Sequence, residues 1–589
     1  MKNPIVKGFL KDFKAKYEIE DKGEDLIFED FINYCVLNNH VIDSEKNFQE
    51  LDTGTAKAFD GIAIMVNNKL VLNEEDINVL VEQKQVLSVE FIFVQSKTSE
   101  NFNDTDITYF LRHVKNFICN ETCTIPEVEK YWELRNIIYE NSHLFRKENP
   151  KCTMYYATTS PTTQISDDIN QTIEDGKTAL LESGYLSDEV RFIPLGVKEI
   201  QKLYRKIDSD LEATFKFPKN VTFPYEGLEI KSAYFGLVEI QEYMNLLLDS
   251  ETMGVKNVFD DNIRDYLGIE NNEVNKNMHD CLKSSSSQLF GILNNGITIV
   301  ADEIKPVGEK FTLHNYQIVN GCQTSNVIFE TYDLLDQKNI SIPLKIIATT
   351  DENTKNEIVK STNSQTGLKP EQLDALNNFH KMLEEYYKAQ HTSFKDLQLY
   401  YERRSNQYRN SDITQTKIIN IPKQIKTVTS MFLDNPHGVS GHYGTVARKV
   451  KDEIFQEDDK LEPYFVSSVL FYRLEAFFRK NKEYKEFTRM KWHILMTIKY
   501  LIVDNGKFSP NLNSAEVQKL SNKILKKIKN EDNTHTLIIK AIESIKTMIV
   551  AEKLEFEDRK LFERKETTDK LKSYLIRNHE SLITNKNLI

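Results

Sequence analysis

The 589-residue sequence predicts an α/β protein in three parts, two mixed strand-and-helix segments followed by a helical one. Three observations carry that prediction. Short apolar runs rich in Ile, Val and Phe alternate with stretches of helical periodicity across residues 1–210. The mixture returns in residues 225–435, punctuated by Asn-Gly pairs. Residues 436–589 then carry mainly helical apolar spacing, as at 466–479, 490–503, 515–528 and 536–554.

Taken in order, helical spacing covers residues 4–19 and 24–39. In the second stretch Leu26, Phe28, Ile32, Cys35 and Val36 lie near one face, and Glu29 falls inside that stripe. A strand, Phe59-Asp60-Gly61-Ile62-Ala63-Ile64, runs toward an Asn67-Asn68 turn and a second short strand at 69–72. A helix at 74–85 leads to the strand Val89-Glu90-Phe91-Ile92-Phe93-Val94-Gln95-Ser96-Lys97. Helices at 105–119 and 126–146, a strand at 153–157, a helix at 164–183, a strand at 190–195 and a helix at 197–207 complete the first segment. Phe217-Pro218 and Phe223-Pro224 punctuate the boundary to the second.

Composition excludes several classes. No apolar run reaches the roughly 18–20 residues that span a bilayer. The start lacks the apolar region of a signal peptide, so the sequence predicts a cytoplasmic protein with no membrane partner. Six scattered cysteines form no CxxC pair and no zinc-like spacing, as a reducing compartment predicts; Cys119 and Cys123, at helical spacing, read as packing. A net charge of −13 argues against nonspecific coating of nucleic acid, although one charge-segregated cleft would suffice for binding. Basic residues thicken around 403–451 and 519–529, as solvated helix faces or as contacts to an anion.

The strand ending in Lys97 carries the most informative chemistry. Successive strand side chains alternate faces, so Gln95 and Lys97 leave the same face of a greasy strand. Asp60, ending a neighbouring strand, can bring a carboxylate to them. Unpaired charge in an apolar setting is costly, so these groups either satisfy one another or form a site. Hydrolysis of a phosphodiester needs a cation to neutralise phosphate, an activated water and stabilisation of the departing oxygen. Hard ions such as Mg²⁺, or Mn²⁺, take oxygen ligands. Asp60 offers a carboxylate, Gln95 an amide oxygen, and Glu29, on the preceding helix, a second acid. Lys97 would hold the attacking water or stabilise phosphoryl charge. The order and spacing of these residues resemble the PD-(D/E)xK nuclease core, in the variant where Gln replaces the second acid. That resemblance implies a restriction-endonuclease-like domain over residues 1–210.

The second segment holds Asn294-Asn295-Gly296-Ile297-Thr298 within one β-rich run. A second run reads Ile318-Val319-Asn320-Gly321-Cys322-Gln323-Thr324. Asn320, Gln323 and Thr324 gather neutral hydrogen-bonding groups at what reads as the start of a helix, whose free amides can receive phosphate. Arg403 and Arg404, after Tyr400 and Tyr401, can grip phosphate and stack on bases, or can pair with the acids of this acidic chain. Cys322 lacks a His or acid partner in sequence, and no Walker-type lysine loop is present. Together with Asn262-Ile263-Arg264-Asp265-Tyr266-Leu267-Gly268, Ser361-Thr362-Asn363-Ser364-Gln365-Thr366 and Tyr400-Tyr401-Glu402-Arg403-Arg404, these motifs resemble, in order, the AIPR family of abortive phage infection proteins. The resemblance implies a bacterial antiphage protein, often nuclease-like at its N-terminus.

Two readings follow. One is a Mg²⁺-dependent endonuclease of phage defence that cuts DNA or RNA, answers to a phage-derived trigger and associates through its C-terminal helices, for example as a homodimer. The other is a non-catalytic nucleic-acid-binding sensor or regulator built on a degenerate nuclease core.

Overall fold

The computed structural model describes residues 3–584 apart from 21, 41–47, 54–55, 57–58, 83–84, 146–147, 209–210, 224–228, 249–255, 257, 260–272, 333–334, 336–338, 364–369, 395–396, 404–406, 409–410, 442, 507 and 509–510. The chain divides into two compact units. The first holds residues 1–6, 24–71 and 77–373, and the second 7–23, 72–76 and 374–589.

The N-terminal part of the chain contributes α1 (Pro4–Lys16), α2 (Glu24–His40), β1 (Gly61–Val66), β2 (Lys69–Leu70) and α3 (Glu74–Glu82). It continues through β3 (Val89–Lys97), α4 (Asp104–Cys119), α5 (Glu129–Glu140), β4 (Lys151–Thr158), α6 (Asp167–Leu181), β5 (Val190–Leu195) and α7 (Val197–Asp208). The five strands form one mixed sheet in the order β2-β1-β3-β4-β5. β1 runs antiparallel to β2 and β3, whereas β3, β4 and β5 are parallel. Asn67 and Asn68 both take positive φ (52° and 62°), as a two-residue hairpin turn of matching twist requires. One face of the sheet buries Ile62, Ile64, Phe91, Phe93 and Met154 under α4, α5 and α6. The opposite face meets α2, which packs on β3 and α7, with Phe31 against Tyr204 at 5.2 Å between ring centroids. Polar alternation is weak along β1 and β3 because both faces are covered. α4 begins where Asn103 accepts the Asp106 amide at 3.0 Å, with Asp104 and Asp106 suited to the positive end of the helix dipole.

The rest of the first unit contains β6 (Glu212–Lys216), β7 (Lys219–Thr222), β8 (Ser232–Glu239), α8 (Ile240–Leu247), α9 (Glu273–Lys283) and α10 (Phe290–Leu293). It ends with β9 (Ile297–Val307), β10 (Lys310–Asn320), α11 (Cys322–Thr331), β11 (Ser341–Ala348) and α12 (Glu352–Asn363). These strands form a second sheet, β6-β10-β9-β11-β8-β7, antiparallel except between β9 and β11. It has its own core, which includes Ile299, Phe311, Leu313, Ile318, Leu344 and Ile346.

The second unit is helical. It follows α13 (Pro370–Gln390) with β12 (Tyr400–Glu402), β13 (Ile418–Asn420), α14 (Ile421–Phe432), α15 (Tyr443–Val450) and α16 (Glu462–Lys480). Next come α17 (Lys491–Ile502), α18 (Ala515–Ile528), α19 (Glu531–Ala551), α20 (Lys565–Arg577) and α21 (His579–Thr584). One core runs from Phe379 to Leu582, so residues 379–435 share it with the helices that follow. The segment 7–23 is held in this unit by Glu18, which accepts from Arg479 at 2.9 Å and from Tyr472 at 3.2 Å. Within that core the fully buried Lys499 pairs with Asp434, which also accepts the Tyr500 hydroxyl at 2.7 Å and pairs with Lys572 at 2.8 Å. Among the described residues no helix is long and apolar enough to cross a membrane.

Candidate active site

Asp60 directly precedes β1, and its amide donates to the Val94 carbonyl at 2.9 Å, which sets it opposite Gln95 on β3. Three donors converge on its Oδ2. The Ser96 amide lies at 2.5 Å, the Ser96 hydroxyl at 2.8 Å and the Gln95 Nε2 at 2.8 Å. Gln95 and Ser96 are each only 3% exposed. Among the described residues Asp60 Oδ1 and Gln95 Oε1 accept no hydrogen bond. Burial pushes the Asp60 carboxyl above its ordinary range, against the pull of the Ser96 bonds, the Lys97 charge and the Gln95 bond.

Glu29 on α2 belongs to the same electrostatic neighbourhood. Burial first, then the charges of Asp60 and Asp25, raise its pKa to about 7, with Lys97 partly opposing them. Lys97 makes no ion pair among the described residues, yet its charge is felt by both carboxyls. The structure thus brings Glu29, Asp60, Gln95 and Lys97 to one end of the first sheet. Asn33, one helical turn after Glu29, donates to the Asp60 carbonyl at 2.8 Å.

The residues present suit a hard divalent cation. Asp60 Oδ1, Gln95 Oε1 and Glu29 are oxygen donors, and carboxyls whose charged forms are disfavoured by burial gain from a cation. Among the described residues no group of three or more His, Cys, Asp or Glu side chains is arranged to hold a metal, so Gln95 would complete such a set.

Two consequences can be tested. The folded chain keeps the Glu29 proton between pH 4.5 and about 7, whereas the unfolded chain has released it. Stability from this group is full below pH 4.5 and lost as pH rises through about 7. Glu29→Gln is therefore expected to melt a few degrees higher than wild type at pH 8 and no higher at pH 4, by calorimetry without metal. Equal melting shifts at both pH values would refute the assignment. The second concerns Gly61, where an added Cβ would lie 2.2 Å from Asn33 Oδ1. Asn33 is 2% exposed and tied to the Asp60 carbonyl, so it has little room to turn. Gly61→Ala should cost about 1–3 kcal/mol in denaturant unfolding, and Asn33→Ala in the same chain should recover much of it.

The other sequence-predicted residues lie elsewhere. Asn320 ends β10 and donates to the Thr362 carbonyl; Gln323 accepts from Asn275 at 2.8 Å; Thr324 donates to Met278 Sδ at 3.6 Å. All three lie around the start of α11, where Gly321 takes φ 103° in a conformation costly for a side chain. Asn295-Gly296 leads from α10 into β9 instead of closing a hairpin. Arg403 follows the acid-pairing alternative, with Nε 3.2 Å from Glu384 and both side chains 12% exposed. Arg404, the segment from Asn262 to Gly268, and Ser364, Gln365 and Thr366 lie outside the described residues. Sequence reasoning missed Asn33 and the Ser96 donors. The spacing of Asn33 four residues after Glu29, on the same helix face, is a signal that could have found the first.

The fold and this site define an α/β protein with a half-buried carboxyl and lysine beside a buried amide at one sheet end, joined to a second sheet and a helical unit. The family described as AIPR protein matches residues 259–557, just over half of the chain. The chain belongs to that family, and membership ties it to abortive infection, a role in phage defence. The match runs well past the motifs seen in sequence and takes in most of the helical unit; the Asp60 cluster lies before it. Neither the curated proteins nor the solved structures compared with the chain include a match.

Proposed function

We propose that this AIPR protein defends against phage as a divalent-metal-dependent nuclease that hydrolyses phosphodiester bonds in DNA or RNA. The observation that supports this most is the Asp60 carboxylate held by Ser96 and Gln95 at the end of a buried sheet, with the Lys97 charge bearing on it and on Glu29. Clusters of this kind are costly to fold and are found where chemistry needs them. Asp60, Gln95 and Glu29 would hold Mg²⁺ or Mn²⁺, which supplies charge neutralisation at the phosphate and a more acidic bound water. Lys97 orients the attacking water or stabilises the phosphoryl oxygens. The remainder of the chain would recognise a nucleic acid or an infection signal.

One observation favours the rival, a non-catalytic sensor: Gln95 gives its amide N–H to Asp60, so the pair is held in place without a ligand. Cleavage decides between them. Purified protein is incubated with DNA and with RNA, in Mg²⁺, Mn²⁺ or EDTA, beside Lys97→Ala. Metal-dependent cutting lost in Lys97→Ala supports the nuclease; no cutting by wild type leaves the sensor, and equal cutting by both proteins overturns the site assignment.

A further inference from the structure

Tyr156 on β4 stands in register with Gln95 on β3, so both side chains leave the same face of the sheet, and the Gln95 amide reaches the Asp60 carboxylate. The residue is 0% exposed. Its ring stacks on Phe192 with centroids 6.2 Å apart and planes at 22°, and Phe110 and Phe102 flank it at 6.0 and 6.1 Å. These contacts fix the ring and would suit phenylalanine equally well. The hydroxyl, by contrast, is buried and makes no hydrogen bond among the described residues. A buried hydroxyl left in that state forfeits its solvation with no return, and such groups call for an explanation.

The surroundings of the hydroxyl supply one. Asp60 and Asp106, at the start of α4, are the acids whose charges bear on the phenol. In register with Gln95, whose amide holds Asp60, the hydroxyl is a donor beside the carboxylate end of the sheet. Its natural acceptor is a small polar molecule shared with those acids, and a water with two or more polar neighbours meets the requirement.

We infer that Tyr156 donates a hydrogen bond to a water held between its hydroxyl and Asp60, and positions that water for attack on the phosphodiester. Tyr156 is then a positioning residue of the site, and the inference rests on the nuclease reading. The water's attack forms its bond to phosphorus as the bond to the departing sugar oxygen breaks. The water's proton passes to solvent or to a site carboxylate, while Tyr156 keeps its own.

Tyr156→Phe tests this, because it removes the oxygen and leaves the ring packing. The variant should melt no lower than wild type and bind nucleic acid with unchanged KM, while kcat falls at least tenfold in Mg²⁺. Wild-type kcat in Tyr156→Phe, with wild type active and Asp60→Asn inactive, would overturn the inference and spare the nuclease reading. An inactive wild type would remove both. A measurement on wild type needs no variant to fold. A high-resolution crystal structure should show an ordered water within about 2.6–3.0 Å of the Tyr156 oxygen, and its absence would overturn the inference.

Discussion

Asp60→Asn is expected to lower metal-dependent phosphodiester cleavage by about 100- to 1,000-fold, the size of loss seen when one preorganised electrostatic group is removed. Phage protection should fall with it. Asparagine is the informative replacement because it keeps the shape that Ser96 and Gln95 enclose; alanine would also leave the Ser96 amide, the Ser96 hydroxyl and the Gln95 amide without their acceptor. The loss would then reflect charge and ligand strength more than a collapsed sheet end. Turnover is measured in Mg²⁺ and again in Mn²⁺, beside a melting curve. An Asp60→Asn protein that melts like wild type and cuts like wild type would sink the proposed site. One that fails to cut yet still protects cells would separate cleavage from defence.

The second large effect concerns stability. Asp434→Ala is expected to destabilise the helical unit by about 3–5 kcal/mol, because it strands a buried charge. Lys499 is fully buried, and burial presses its pKa down to about 8 even with Asp434 beside it. Burial alone would raise the Asp434 carboxyl, but Lys499, Lys572 and Tyr500 hold it below its ordinary range. The stabilisation from that carboxylate is present above pH 3.8 and is lost as pH falls through its lower folded value. Pairing Asp434→Leu with Lys499→Met should recover most of the loss in urea unfolding, since apolar replacement of a whole buried pair is often tolerated. If the single variant loses less than a kilocalorie, the network is not holding these helices together.

Much of the fold was legible because periodicity and turn chemistry agreed. The strands at 89–97 and 190–195 and the helix at 515–528 occur at the bounds that their apolar spacing gives. The stretch from Phe290 was harder, because a short apolar run does not tell strand from buried helix. It forms α10 first, and the strand begins only at Ile297. Of the site, the acid, the amide and the lysine were visible as polar groups on apolar strands. Asn33 and Tyr156 were not, since their relevance depends on which helix lies over Gly61 and which strand pairs with Gln95. Those are facts of tertiary pairing, and the residue types alone are ordinary in a core.

The hold of Asp60 on Ser96 and Gln95 also bears on how this protein's history can be read. An aspartate that closes a sheet end has a reason to survive after any cutting has ceased, so finding it in a descendant would say little about activity. Lys97 has no ion pair among the described residues and gives the folded chain no comparable anchor. In a lineage that had abandoned cleavage, drift would reach Lys97 first. Its retention or loss among related chains is the better fossil of the chemistry.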